Sequence, residues 1–86
     1  MEIEFYAKAE RDFEYWRKSG NKAIQNKIQE LFLDMKKHPF EGIGKPEPLK
    51  YEFTGQWSRR INLEHRIIYD VIGDTINIYS LKGHYK

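Results

Sequence analysis

The chain contains no cysteine, which excludes disulfides, thiol nucleophiles and cysteine-held zinc. It has no apolar run near the length of a membrane span. Proline is scarce: there are three in 86 residues, at positions 39, 46 and 48. Neither sign of charge dominates, with 15 basic against 13 acidic residues and a net charge of +2. Binding of nucleic acid would therefore require cations gathered on one face. Met1 is followed by Glu2 and Glu4 rather than by a basic and then apolar run, so no signal peptide is read and a cytoplasmic location is expected. What the chain does have is core-forming residues, 40% hydrophobic and 15% aromatic, too apolar for a disordered segment. Its length suits one domain over positions 1–86.

Hydrophobic spacing divides the chain into elements. Ile3 and Phe5 alternate with Glu2 and Glu4, predicting a short first strand. Ala9, Phe13 and Trp16 recur at helical spacing over about residues 7–18. Ser19-Gly20-Asn21 reads as a helix stop followed by an N-cap. Ile24, Ile28, Leu31, Phe32 and Met35 then form an apolar stripe on a second helix, which ends by His38 because Pro39 disfavours helix at the residue before it. Residues 39–48 read as a loop. Strands follow at Leu49-Tyr51-Phe53, Trp57-Arg59-Ile61, Ile67-Tyr69-Val71 and Ile76/Ile78, with turns at Thr54-Gly55-Gln56 and Gly73-Asp74. The order β-α-α-β-β-β-β predicts an α+β domain, two helices on one face of a small antiparallel sheet.

Register decides which side chains share a face. A turn at Gly73-Asp74 sets Ile72 against Thr75, Tyr69 against Ile78 and Arg66 against Leu81. Ile67, Tyr69, Val71, Ile76 and Ile78 then form the core face; Arg66, Ile68, Asp70, Asn77 and Tyr79 lie on the other. A three-residue loop sets Ile61 against Ile67 and keeps Arg60 on the open face, since a buried unpaired arginine is costly. Lys50 then opposes Arg60. Lys50, Arg60 and Arg66 gather at one end of the sheet, where Lys45, Glu47, His84 and Tyr85 also arrive. Arg59 points the opposite way and is assigned to holding a partner.

Cleavage of RNA by its own 2′-hydroxyl requires a base, a cation for the charge growing on phosphate, and an acid for the leaving 5′-oxygen. Glu47 can serve as base, Arg66 as bidentate charge stabiliser with Arg60 assisting, and His84 as acid. Tyr85 and Tyr79 can stack on or orient a base. Each has an ordinary alternative. A glutamate in a proline-rich loop is usually solvated, and strand arginines usually pair, here with Asp70 or Glu52. His38 ends a helix, where its charge suits the dipole, and His65 lies in a turn; neither is given chemistry. Tyr51, Trp57 and Tyr69 sit at core parity and read as packing.

PFEGIGKPEPLK, GQWSRRI, EHRIIY and a late HY pair resemble the YoeB-type toxins of the RelE/ParE superfamily, from the first strand to Tyr85. The resemblance implies a RelE-like fold and a ribosome-dependent endoribonuclease that cuts mRNA in the A site, with no metal or organic cofactor. It implies Glu47 as general base, Arg66 as phosphate ligand, His84 as general acid and Tyr85 as its adjacent aromatic, with Arg60 at a further basic position; Lys45 and Lys50, gathered at the same end of the sheet, are assigned with Arg60 to binding RNA. The partners implied are mRNA, the ribosome and a YefM-like antitoxin; a second copy of the chain is a further candidate, and no membrane is involved. The family pattern commonly ends at the tyrosine of HY, whereas Lys86 follows here. Two rival readings remain: a same-fold toxin that binds without cleaving, as gyrase-directed ParE relatives do, and a non-enzymatic RNA- or partner-binding module.

Overall fold

A computed structural model of the chain describes residues 1–83. Strand β1 (Glu2–Phe5) leads into helices α1 (Ala7–Ser19) and α2 (Lys22–Lys37). Both helices begin and end where the local chemistry dictates. Gly20 closes α1 with φ of 74°, a left-handed conformation that glycine takes without steric cost. The Asn21 side chain caps α2 by accepting the Ile24 N–H at 3.1 Å. The apolar stripe of α2 is buried at Ile24, Ile28, Leu31 and Met35, as are Ala9 and Trp16 of α1.

The rest of the chain forms β2 (Glu47–Pro48), a one-turn 3₁₀ helix (Tyr51–Phe53), β3 (Trp57–Arg60), β4 (Arg66–Ile72) and β5 (Thr75–Ser80). The five strands form one sheet in the order β1-β5-β4-β3-β2. Ile67, Tyr69, Ile76 and Ile78 are fully buried on the face covered by the helices, as the alternation predicts.

The sheet is mixed rather than wholly antiparallel: β1 runs parallel to β5, Ile3 opposite Ile76 and Phe5 opposite Ile78. A parallel neighbour joined through two helices has no turn between its strands, so nothing local in the sequence announces it. The second predicted strand also gives way. Leu49 donates its N–H to Gln56 O at 2.8 Å, and the next residues turn into the 3₁₀ helix. Pro48 therefore opposes Trp57 and Glu47 opposes Ser58, in place of the Phe53–Trp57 and Lys50–Arg60 pairs. Tyr51, expected to pack, is 82% exposed.

Between β3 and β4 the true pairs are Arg59–Ile67 and Arg60–Arg66, two residues from the predicted register. A slip of two preserves the alternation, so Arg60 and Arg66 still share the open face. The β4–β5 hairpin follows its predicted pairing from Ile72–Thr75 to Tyr69–Ile78, then a bulge sets Ile68 opposite Ser80. Arg66 consequently does not reach Leu81; its N–H donates to Gly83 O at 3.1 Å.

Candidate active site

On the face away from the helices, Glu47, Pro48, Leu49, Lys50, Tyr51, Ser58 and Arg66 line an open groove of about 420 Å³. Glu47 is held on the sheet edge by its pairing with Ser58, between Pro46 and Pro48, whose rings limit the backbone. The chain enters and leaves this segment through two non-glycine residues in the left-handed region, Lys45 (φ 50°) and Tyr51 (φ 57°). Such conformations cost about 1–2 kcal/mol each and recur where a loop is shaped for function. Ser58 is buried and forms the floor. Glu47 and Lys50 are exposed above it, and Arg66 is half-buried at the start of β4.

Arg60 and Lys45 line an adjoining recess with Lys27 and Gly44. Arg60 and Arg66 sit directly across from each other on β3 and β4, an arrangement that like charges disfavour. Among the described residues neither pairs with a carboxylate, and Arg60 Nε is buried without a hydrogen-bond partner. Of the two expected neutralisers, Glu52 forms no ion pair among the described residues, and Asp70 is committed elsewhere: it accepts from Asn77 Nδ2 at 2.9 Å and from the Tyr79 hydroxyl at 2.7 Å. Tyr79 is thereby fixed against Tyr6, ring centroids 4.5 Å apart. Burial, then this bond to Asp70, push its hydroxyl pKa well above the ordinary tyrosine value.

Arg59 is not a surface residue for a partner; it is fully buried. Its guanidinium donates to Asp34 Oδ2 at 2.6 Å, to Glu41 O at 2.8 Å, to Ile43 O at 3.2 Å, to the Tyr69 hydroxyl at 3.1 Å and to His38 O. The Tyr69 hydroxyl in turn donates to Pro39 O at 2.8 Å. An arginine at core parity is tolerated because its donors are met by one carboxylate and by carbonyls of the loop that delivers Glu47. The bond from Arg59 is the main reason the Asp34 carboxyl titrates below its ordinary value.

His84 and Tyr85 lie outside the described residues. The chain leading to them is well held: the Gly83 N–H donates to His65 Nδ1 at 2.9 Å and its carbonyl accepts from Arg66 N. Of the residues predicted from sequence, Glu47, Lys50 and Arg66 thus share one groove, and Arg60 and Lys45 flank it. Alternation assigns Tyr51 to packing and His65 to a turn, and gives Ser58 no role. Ser58 shares the parity of Arg60 and was accessible to the same reasoning; the exposure of Tyr51 depends on a 3₁₀ turn that alternation conceals. A second recess between α1 and α2, lined by Phe13, Trp16, Arg17, Gln25 and Ile28 among others, holds no carboxylate or imidazole. No three metal-binding side chains converge among the described residues.

Helices on one face of a mixed sheet, and on the other Glu47 near an arginine pair that no carboxylate neutralises among the described residues, define a small α+β domain with a cationic patch. Comparison with known proteins places this class. A model of the YoeB-like toxins of bacterial type II toxin-antitoxin systems matches residues 5–85. Toxin YoeB of Escherichia coli K12 is 49% identical over 74 residues, 86% of this chain and 87% of that protein. A YoeB/ParE toxin from Agrobacterium tumefaciens superposes with a TM-score of 0.94 at 37% identity, covering 99% of this chain and 100% of the other. YoeB of Staphylococcus aureus, solved in complex with YefM, gives 0.89 at 44% identity over 99% and 98% of the two chains; it has also been solved as a dimer. The chain belongs to the YoeB family of toxins.

Proposed function

We propose that this toxin is an endoribonuclease that cuts mRNA in the ribosomal A site and is held inactive by a cognate antitoxin. The observation that carries the reading is that Glu47 and Arg66 line one groove, with Arg60 set directly across from Arg66 and neither arginine paired with a carboxylate among the described residues. In the proposed reaction Glu47 takes the proton of a 2′-hydroxyl, whose oxygen attacks the adjacent phosphorus. A new O2′–P bond forms and the P–O5′ bond breaks. Arg66 stabilises the charge on the non-bridging oxygens, and His84 gives its proton to the departing 5′-oxygen. The products are a 2′,3′-cyclic phosphate and a free 5′-hydroxyl, and no metal takes part in any step. Tyr85 orients the base or its sugar, while Lys45, Lys50 and Arg60 hold the flanking backbone. The setting is the cytoplasm, where translating ribosomes are found.

The same cationic face suits an acidic, flexible antitoxin segment that orders on binding. The YefM complex of the Staphylococcus aureus relative supports a partner of this kind, and the dimer of that relative supports self-association. Arg59, being internal, takes no part in either surface.

The deciding experiment is single-turnover cleavage of mRNA on programmed ribosomes, with circular dichroism as the folding control. Arg66→Ala and His84→Ala are expected to lose about 10²–10³ in rate with the fold retained, and Glu47→Gln to slow cleavage without unfolding. Wild-type rates in all three variants would remove these groups from the chemistry and favour a toxin that acts by binding.

A further inference from the structure

The last described residues are gripped by side chains that the proposed reaction does not use. Asp12, buried in α1, accepts the Leu81 N–H at 2.9 Å and Lys8 Nζ at 2.6 Å. Trp16 Nε1 donates to Leu81 O at 2.8 Å. Lys8 Nζ also reaches Lys82 O at 3.0 Å. His65 continues the series: its ring stands edge-on to Trp16, centroids 4.9 Å apart, and its Nδ1 accepts the Gly83 N–H at 2.9 Å. The carbonyl of Gly83 is bound by Arg66 N at 3.1 Å. Two residues adjacent in sequence, His65 and Arg66, therefore hold the two polar groups of Gly83.

The end of a small domain's last strand is where a chain ordinarily frays, and glycine has the most backbone freedom to lose. Gly83, with φ of 96°, carries a grip on both sides. Its amide can be accepted only by an imidazole with a free lone pair on Nδ1, so the His65 proton sits on Nε2.

We infer that His65 is a positioning residue: its bond to the Gly83 amide fixes, beside Arg66, the residue that precedes the proposed acid His84. The inference rests on the reading of His84 as general acid. A misplacement of about 1 Å in a reacting group can cost on the order of 10²-fold in rate, so a hydrogen bond to the residue preceding His84 has leverage on the chemical step. Asp12 and Trp16 support the same segment two residues earlier, at Leu81, and also hold α1 to the sheet, which makes His65 the cleaner probe.

Three substitutions separate the acceptor from the ring. His65→Phe keeps a ring against Trp16 and removes the acceptor, His65→Asn supplies an acceptor near the Nδ1 position without the ring, and His65→Ala removes both. The readouts are the single-turnover rate at saturating ribosomes, the ribosome concentration giving half that rate, and exchange of the Gly83 amide in the free protein. His65→Phe and His65→Ala are expected to lose about 10- to 100-fold in the rate at saturation, with the half-saturating concentration little changed and Gly83 protection lost. His65→Asn should recover most of both. Wild-type cleavage by His65→Phe, or a loss as large in His65→Asn as in His65→Ala, would overturn the positioning role. Should the wild-type protein fail to cut ribosome-bound mRNA, the functional reading falls and His65 positions no acid. Gly83 exchange then still reports the grip: unchanged protection in His65→Phe would refute that as well.

Discussion

Two adjacent arginines on β3 carry the same charge into different surroundings. Arg60 faces Arg66 with its Nε unpartnered, whereas Arg59 is sealed in the interior with a donor for each of five acceptors. A lysine cannot reproduce that fan of planar donors, so Arg59→Lys is expected to unfold at markedly lower urea than wild type, by more than Arg60→Lys. Asp34 is one-fifth exposed at 21%, while Arg59 has no exposure, so loss of the carboxylate falls at the lower end of buried-pair values. Asp34→Asn should cost about 3 kcal/mol at neutral pH. The pH dependence has a definite sign. The folded Asp34 pKa lies below its ordinary value, chiefly through the Arg59 hydrogen bond. Its stabilisation is therefore complete above about pH 4, where the unfolded carboxyl is ionised, and is lost as pH falls through the lower folded value. Urea midpoints of wild type and Asp34→Asn should differ at pH 7 and converge below about pH 4; a constant gap would show that the ion pair is not its source.

At the scale of elements, the loop between α2 and β2 is shaped by that same carboxylate. Asp34 Oδ2 accepts the Ile43 N–H at 3.1 Å, and a Cβ added at Gly42 would lie 2.0 Å from Asp34 Oδ2 with φ at 111°. Gly42→Ala must therefore displace the Arg59–Asp34 pair or the loop. Its cost is expected to exceed 2 kcal/mol by urea denaturation, on the order of other core-disrupting changes. It should be much less than additive with Asp34→Ala, because both act on one contact network. Full additivity in that cycle would show that Gly42 acts through the backbone alone. The elements read from sequence were those whose signals are local. The Asn21 cap and the stripe from Ile24 to Met35 marked α2, and Gly73-Asp74 marked the β4–β5 turn. Leu49, Tyr51 and Phe53 alternate like a strand but are diverted by the left-handed Tyr51. The parallel β1–β5 pairing and the bulge beside Tyr79 depend on distant contacts. The arginine face was nevertheless legible, because the register error at Arg60 and Arg66 was even and the side chains kept their face. Burial of Arg59 was not, because its acceptors lie on α2 and in a loop remote in sequence.

The whole molecule measures 32 × 27 × 23 Å, and its charges are unevenly spread over the open sheet face. Glu2 and Glu4 are exposed on β1 at one edge, while Lys45, Lys50, Arg60 and Arg66 lie toward the other. Net charge is only +2, so under the proposed reading RNA would be attracted by this one side. With about four phosphates contacted, affinity for free single-stranded RNA should fall with a log–log salt slope of about −3, roughly 50- to 65-fold between 50 and 200 mM. The groove is open, and a flexible strand lying in it pays the full entropy of being ordered. A ribosome that already fixes the mRNA backbone removes that cost and converts a loose encounter into a near-attack geometry. Cleavage of A-site mRNA is therefore expected to exceed that of the same RNA free in solution by several orders of magnitude at 150 mM salt, most of the gap lying in the rate at saturation. Lys45→Ala and Lys50→Ala should each reduce the salt slope on free RNA by about 0.7. The comparison is made by quantifying 5′ ends from one transcript, free and on programmed ribosomes, over a range of salt. Equal rates on the two substrates would mean that the groove itself orders the strand, and the protein would then be a general ribonuclease.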